Sequence, residues 1–327
     1  MVNWSAFPEH ILPRMKQHPA LRSLRHQPKL FSDTSDFGNI DYGDVIHVDN
    51  RYFLVVGHTK EGRFGIDEQP KQWVPKVLDL ESGQRQIVKL VFHETYKIRL
   101  GPIEITCYRN PEKEAQVIEL TRGNDAFMQG YATLDEADNL VRILDIVNGT
   151  RLDKYIYKLG EDHRDYLENH LYNVLQRYLL SIDAIIHLHQ NGLKHGDIRR
   201  DHIFVDRKKQ HFVWIDFDYD FYLPERPFAL DLLGLGSVLL FLVGQDTFRT
   251  KSILQNPQFG EKVFNSLEPQ DMALLSQDRI FNLKKIYPYI PDPLNELLLH
   301  FSMGTTVMYD EVKEFYDDLC RVMDMIW

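Results

Sequence analysis

The chain has only two cysteines among its 327 residues, Cys107 and Cys320, far apart and without metal-ligand spacing. That excludes a disulfide framework or a zinc ribbon and makes a reducing compartment the simpler reading. The opening MVNWSAFPEH lacks a basic region followed by an apolar run, so no signal peptide is read there. No apolar run is long enough for a bilayer: the longest, Leu232 to Val243, falls short of the roughly 20 residues required and reads as a core helix. Positive charge is also in deficit, with 38 Lys and Arg against 48 Asp and Glu and a formal net charge of -10. Such a field repels polyanions, so no nucleic-acid partner is expected, and the short apolar runs lead to the expectation of no membrane span. A single nucleotide stays admissible, because a divalent cation reverses the local sign. Repeats and low-complexity tracts are absent. A soluble, cytoplasmic protein is the resulting expectation.

What is present suits a large core. Hydrophobic residues make up 43% and charged residues 26% of the chain, enough for one large domain or two lobes. Residues 1–50 mix Pro, His and basic residues with little periodicity and read as an N-terminal extension packed on the surface. From Arg51 to Leu90 the texture is strand-like: RYFLVV, WVPKVLDL and RQIVKLVF, with the turn signal Glu81-Ser82-Gly83 between the last two. Pro111 followed by KEAQVIEL predicts a helix start, and NLVRILDIV another strand closed by Asn148-Gly149. Then the period changes. Leu171, Leu175, Tyr178, Leu179, Ile182, Ile185 and Ile186 recur at helical spacing, and Asn191-Gly192 ends the run. Two short strands follow, HIFVD and FVWID, and from Leu230 onward the chain reads as mostly helical. A β-rich first part before a helical second part argues for α+β architecture.

Between the long helix and the short strands stands His195-Gly196-Asp197-Ile198-Arg199-Arg200-Asp201-His202, and the second strand ends in Trp214-Ile215-Asp216-Phe217-Asp218. These stretches resemble the H-R-D catalytic loop and the D-F-G motif of the protein kinase superfamily, here as H-G-D and D-F-D, in an atypical member of bacterial Ser/Thr type. Other parts fall in the family's order. Lys89 in Ile87-Val88-Lys89-Leu90 matches the strand lysine, and Glu114 the helix glutamate that keeps such a lysine aimed at phosphates. Leu144-Asp145-Ile146-Val147 resembles the adenine hinge, with Asp145 and Val147 as its contacts. Asp231, in Asp231-Leu232-Leu233-Gly234, resembles the aspartate that braces the catalytic loop. The likeness runs over residues 52–320. It implies a bilobal kinase-like fold: an extension at 1–50, a small antiparallel-sheet N-lobe with its helix at 51–147, and a mainly helical C-lobe at 148–327. ATP and Mg or Mn would bind between the lobes.

By the same resemblance Asp197 orients the acceptor hydroxyl, Arg199 steadies the γ-phosphate and Asp216 holds the metal. Departures from the pattern bear on each role. Gly62-Arg63-Phe64-Gly65 matches only the second half of the glycine-rich loop, since Lys60 fills the first glycine's place; Gly62 and Gly65 are the candidate phosphate contacts, or an ordinary turn. His202 replaces the asparagine of a second metal, which implies a single-metal site, a preference for Mn over Mg, or a purely structural imidazole. Asp218 in the D-F-G glycine's place adds a carboxylate to the metal or caps a turn. The short stretch from Phe217 to Leu230 leaves no room for a long phosphorylatable loop. The expected function is ATP-dependent phosphotransfer to a hydroxyl, protein Ser/Thr ahead of a small molecule; the alternative is a pseudokinase that binds nucleotide or a protein partner with little turnover.

Overall fold

The computed structural model describes residues 4–22, 24, 26–63, 66–101, 103–257 and 259–327. The chain forms two compact units: unit 1 takes Met1–His93 and Pro111–Val147, unit 2 takes Glu94–Asn110 and Asn148–Trp327.

Unit 1 begins with helix α1 (Leu12–Gln17) and strands β1 (Leu30–Phe31), β2 (Val45–Val48), β3 (Arg51–Arg63), β4 (Ile66–Asp79) and β5 (Arg85–Lys89). The chain passes into unit 2 for β6 (Thr95–Leu100) and β7 (Ile103–Arg109), then returns as helix α2 (Pro111–Leu120) and strands β8 (Gly130–Leu134) and β9 (Leu140–Asp145). One sheet results, in the order β1-β2-β3-β4-β5-β9-β8. Successive strand residues face opposite sides, so Phe53 and Val55 join Val77, Val88 and Ile143 in one core while Leu54 turns the other way. That second face is covered by Phe7, Ile11, Met15 and Leu21. Arg14 pins the cover by donating to the carbonyls of Leu80 at 3.0 Å and Glu81 at 2.5 Å. Residues 1–50 thus do more than pack on the surface, because β1 and β2 lengthen the sheet itself. Strands of two and four residues are too short to show alternation in sequence. IDEQPKQW is the first half of β4, paired with β3 from Thr59↔Lys71 to Arg63↔Ile66.

Unit 2 continues through β10 (Gly149–Arg151), α3 (Leu152–Ile156), α4 (His163–Asn169), α5 (Leu171–Gln190), β11 (Ile203–Asp206), β12 (Phe212–Trp214), β13 (Tyr219–Tyr222), α6 (Ala229–Gly244), α7 (Thr250–Gln255), α8 (Gly260–Phe264), α9 (Asp292–Leu299) and α10 (Val312–Ile326). The apolar stripe of α5 is buried as its period predicts, and Gly192 at φ 72° ends it in the left-handed region that glycine tolerates. The Trp214 indole donates to the Ser181 carbonyl at 2.9 Å, fastening β12 to α5, and the Tyr178 hydroxyl does the same for α6 through the Leu235 carbonyl at 2.7 Å. Helix α6 is apolar on nearly every side and buried, as a central helix must be. A Cβ at its Gly234 would lie 2.8 Å from the Ile198 carbonyl oxygen, so glycine lets α6 approach the chain at Ile198. No described helix is long and apolar enough to cross a membrane.

Two small sheets complete the unit, β10-β11-β12 and β13-β7-β6. The β6–β7 hairpin was not foreseen. Its apolar residues alternate with Lys97, Arg99 and Glu104, and the available signal was Gly101-Pro102 between two alternating runs.

Candidate active site

Lys89 is the last residue of β5, and Arg142 faces it across the β5–β9 register. Both reach Glu114 in the first turn of α2: Lys89 Nζ donates to Oε1 at 2.7 Å and Arg142 Nε to Oε2 at 3.3 Å. Arg142 also donates to the Leu90 carbonyl at 3.1 Å. All three side chains are 5% exposed or less. The structure therefore brings the expected lysine and glutamate together and adds an arginine that sequence reasoning missed. Its signal was a lone cation inside the apolar run NLVRILDIV, a position where charge is tolerated only when paired.

Asp145 and Val147 close unit 1. Asp145 donates its N–H to the Gln129 carbonyl at 2.9 Å and accepts from Gln86 Nε2 at 3.0 Å; its side chain is exposed and Val147 is half-buried. Gly62 lies within β3, and Gly65 falls outside the described residues.

In unit 2 the loop from Lys194 to His202 is held from below. Asp231, fully buried in the first turn of α6, accepts from the backbone N–H of His195 and of Gly196, each at 2.8 Å, and from His189 Nε2 at 2.9 Å. Burial pushes its pKa up, but the His189 hydrogen bond, the charges of His189 and His195 and the Gly196 N–H outweigh it and leave the carboxyl at about 2. After Asp197 the chain makes one 3-10 turn, Arg200–His202, and enters the β11–β12 hairpin. The Ile215 N–H donates to the His202 carbonyl at 3.0 Å, which carries Asp216 back beside the loop.

His202 joins the two aspartates. Its Nδ1 lies 2.9 Å from the Asp197 carbonyl oxygen and 3.5 Å from Asp197 Oδ2, while Nε2 lies 3.5 Å from Asp216 Oδ2. The Asp197 carbonyl accepts only from an N–H, so Nδ1 carries a proton and Nε2 is the ring atom that faces Asp216. Burial raises the pKa of Asp197, with Asp216 and Asp201 adding to it against the pull of His202 and Arg199. A carboxylate poised above its ordinary value is a better proton acceptor. Arg199 is held by Asp201, to whose Oδ1 its Nε donates at 3.0 Å, and Nη1 lies 3.8 Å from Asp197 Oδ2. Burial opposes ionisation of Asp201, but the Arg199 hydrogen bonds bring it down to about 2.

Asp218 turns to Arg109, whose Nη1 donates to Oδ2 at 2.7 Å, both side chains 2% exposed. Among the described residues no three His, Cys, Asp or Glu side chains gather into a metal cluster. Asp216 with His202 Nε2 offers two ligand groups, which fits a divalent ion that brings phosphate oxygens and water with it rather than one caged by protein. After Phe217, Phe221 is buried against Ile105 and Cys107, whereas Tyr222 is exposed.

No protein-family model matches the sequence, and no curated protein does. Among solved structures the chain is similar to the kinase domain of Mycobacterium tuberculosis PknI. A single-substitution mutant of that domain aligns with a TM-score of 0.50 at 13% identity, covering 86% of this chain and 98% of that one. A second structure of the domain gives 0.49 at 14% identity, covering 87% and 99%. At such identity the likeness concerns fold alone, and the chain has the α+β protein-kinase-like fold that its motifs implied.

Proposed function

We propose that the chain is an ATP-dependent phosphotransferase acting on a hydroxyl group, with a protein Ser/Thr side chain as acceptor and Mg or Mn as cofactor. The observation that supports it most is His202 lying between the two aspartates, with Nδ1 2.9 Å from the Asp197 carbonyl oxygen and Nε2 3.5 Å from Asp216 Oδ2. In this reading Asp197 orients the acceptor hydroxyl and takes its proton. Arg199 neutralises charge on the transferred phosphoryl group, and Lys89, braced by Glu114, contacts the α/β-phosphates. Asp216 and His202 Nε2 hold the divalent ion, which screens the phosphate charge when bound. An imidazole ligand favours Mn over Mg. Asp145 and Val147 receive the base, and Gly62 and Gly65 flank the phosphates.

A thermal-unfolding titration with ATP, with and without Mg or Mn, tests it on wild type and Asp216→Ala. Ligand at a hundred times its dissociation constant adds about 2.7 kcal/mol, or about 3–6 °C for a chain of this size. A metal-dependent rise that disappears in the variant is the expected result. No rise with any nucleotide or metal would remove the reading. The second reading is a pseudokinase that binds nucleotide or a protein partner, favoured by the limited ligand set among the described residues and by Asp218 being committed to Arg109; in its nucleotide-binding form it predicts the same rise with no phosphotransfer.

A further inference from the structure

Arg109 closes β7, and around it several contacts within unit 2 hold the segment following Asp216. Its Nε donates to Glu94 Oε2 at 3.1 Å while Nη1 holds Asp218 at 2.7 Å. Strand β13 pairs with β7 from Tyr219↔Arg109 to Tyr222↔Thr106. The Asn110 N–H donates to the Asp218 carbonyl at 2.6 Å, and the Tyr219 hydroxyl donates to Glu94 Oε2 at 2.6 Å with its ring 4.3 Å from the guanidinium. The stem of the catalytic loop joins in, since Lys194 Nζ donates to Asp220 Oδ1 at 2.8 Å and to the Phe221 carbonyl at 2.6 Å. Two residues before the ion pair, Asp216 has φ 68°. A non-glycine residue stays in the left-handed region only where its surroundings impose it.

We infer that Arg109, presented by the β6–β7 hairpin, is a positioning residue for the metal site: by fixing Asp218 it holds Asp216 in the left-handed conformation that turns its carboxylate toward His202 and a nucleotide-bound divalent ion. The metal part rests on the proposed phosphotransferase reading; the structural part stands without it. Segments of this kind can be ordered by an added phosphate that pairs with arginine. Here the anion is Asp218 itself, so the site is set when the unit folds.

Arg109→Gln alone strands a buried carboxylate and can unfold the unit, so Arg109→Lys and the neutral pair Arg109→Gln/Asp218→Asn are made beside it. Two readouts are compared: hydrogen exchange over residues 216–222, and Mn²⁺ affinity in the presence of ADP, followed by the spin-resonance signal of free Mn²⁺. The neutral pair is expected to stay folded, to exchange faster across 216–222, and to bind Mn²⁺·ADP about tenfold more weakly or worse, the range for groups that orient a metal ligand. Arg109→Lys, which keeps the charge but loses the fork, is expected to fall between that pair and wild type. Affinity within about twofold of wild type in the neutral pair, with or without faster exchange, would overturn the inference, since a merely structural pair moves exchange alone. If wild type itself binds no Mn²⁺·ADP, the phosphotransferase reading fails, which is a different result from a wild type and a neutral pair that bind equally.

Discussion

In unit 1, Lys89 and Arg142 share the Glu114 carboxylate with all three side chains buried; in unit 2, Asp197, Asp201, Asp216, His202 and Arg199 stand between 11% and 54% exposed. The buried cluster is rich in cations and dry, so its geometry is fixed before any ligand arrives. The open cluster is rich in carboxylates and keeps access to water, which a ligand can displace. Buried charge is expensive to disturb, exposed charge is cheap. Variants in the two clusters should therefore separate into losses of stability and losses of function.

The largest effects fall on turnover. Asp197→Asn keeps the size and hydrogen bonding of the side chain but removes its basicity, so phosphotransfer should drop by about 10²–10⁴. The metal-dependent ATP shift in unfolding midpoint should persist in that variant and vanish in Asp216→Ala. If both variants lose the shift equally, the division of labour between the aspartates is wrong.

Next comes stability in the buried cluster, read by denaturant unfolding. Glu114→Ala leaves two cations without their carboxylate and should cost about 3–5 kcal/mol. Lys89→Met leaves Glu114 on Arg142 and should cost about 1 kcal/mol, though it removes the proposed phosphate contact. Equal losses in the two variants would mean that Arg142 does not support Glu114 independently.

The same contrast explains what could be read in the sequence. Helical period marks α5, Pro111 with the helix formers behind it marks α2, short apolar runs mark β11 and β12, and the order of motifs singles out Lys89, Glu114, Asp197, Asp216 and Asp231. The structure joins Lys89 to Glu114 and Asp231 to the backbone of His195 and Gly196. What stayed hidden depends on pairing between distant segments. Arg142 reaches Glu114 only because β9 lies beside β5, and Arg109 reaches Asp218 only because β7 takes β13 as a partner. No window of neighbouring residues contains that register. His202 shows both sides: its position was legible as a departure from the pattern, whereas its contact with both aspartates required the hairpin.

Asp231 gives a pH test between the extremes. Its folded pKa, about 2, lies below the roughly 3.9 of an unfolded aspartate. The unfolded chain therefore binds its proton first as pH falls. The contribution, about 2–3 kcal/mol, is complete above the unfolded value and is lost as pH drops toward 2. Unfolding of wild type and Asp231→Asn followed from pH 7 to pH 2.5 should show a stability gap that closes below about pH 4. A gap that stays constant would show that the variant lost packing rather than charge.

The smallest effect is expected at Asp201. Its grip on Arg199 has good two-point geometry, but Arg199 is 54% and Asp201 31% exposed, so water and salt screen the pair. Asp201→Asn should change stability by less than about 1 kcal/mol, and less still at high salt. The lowered pKa of Asp201 argues for a larger figure, yet solvent exposure decides the outcome for a pair at the mouth of a site. Freed from Asp201, Arg199 would swing toward any phosphate in reach, so the apparent affinity for ATP should hold or rise while turnover falls modestly. A destabilisation as large as that of Glu114→Ala would place Asp201 among the buried charges and erase the distinction between the two clusters.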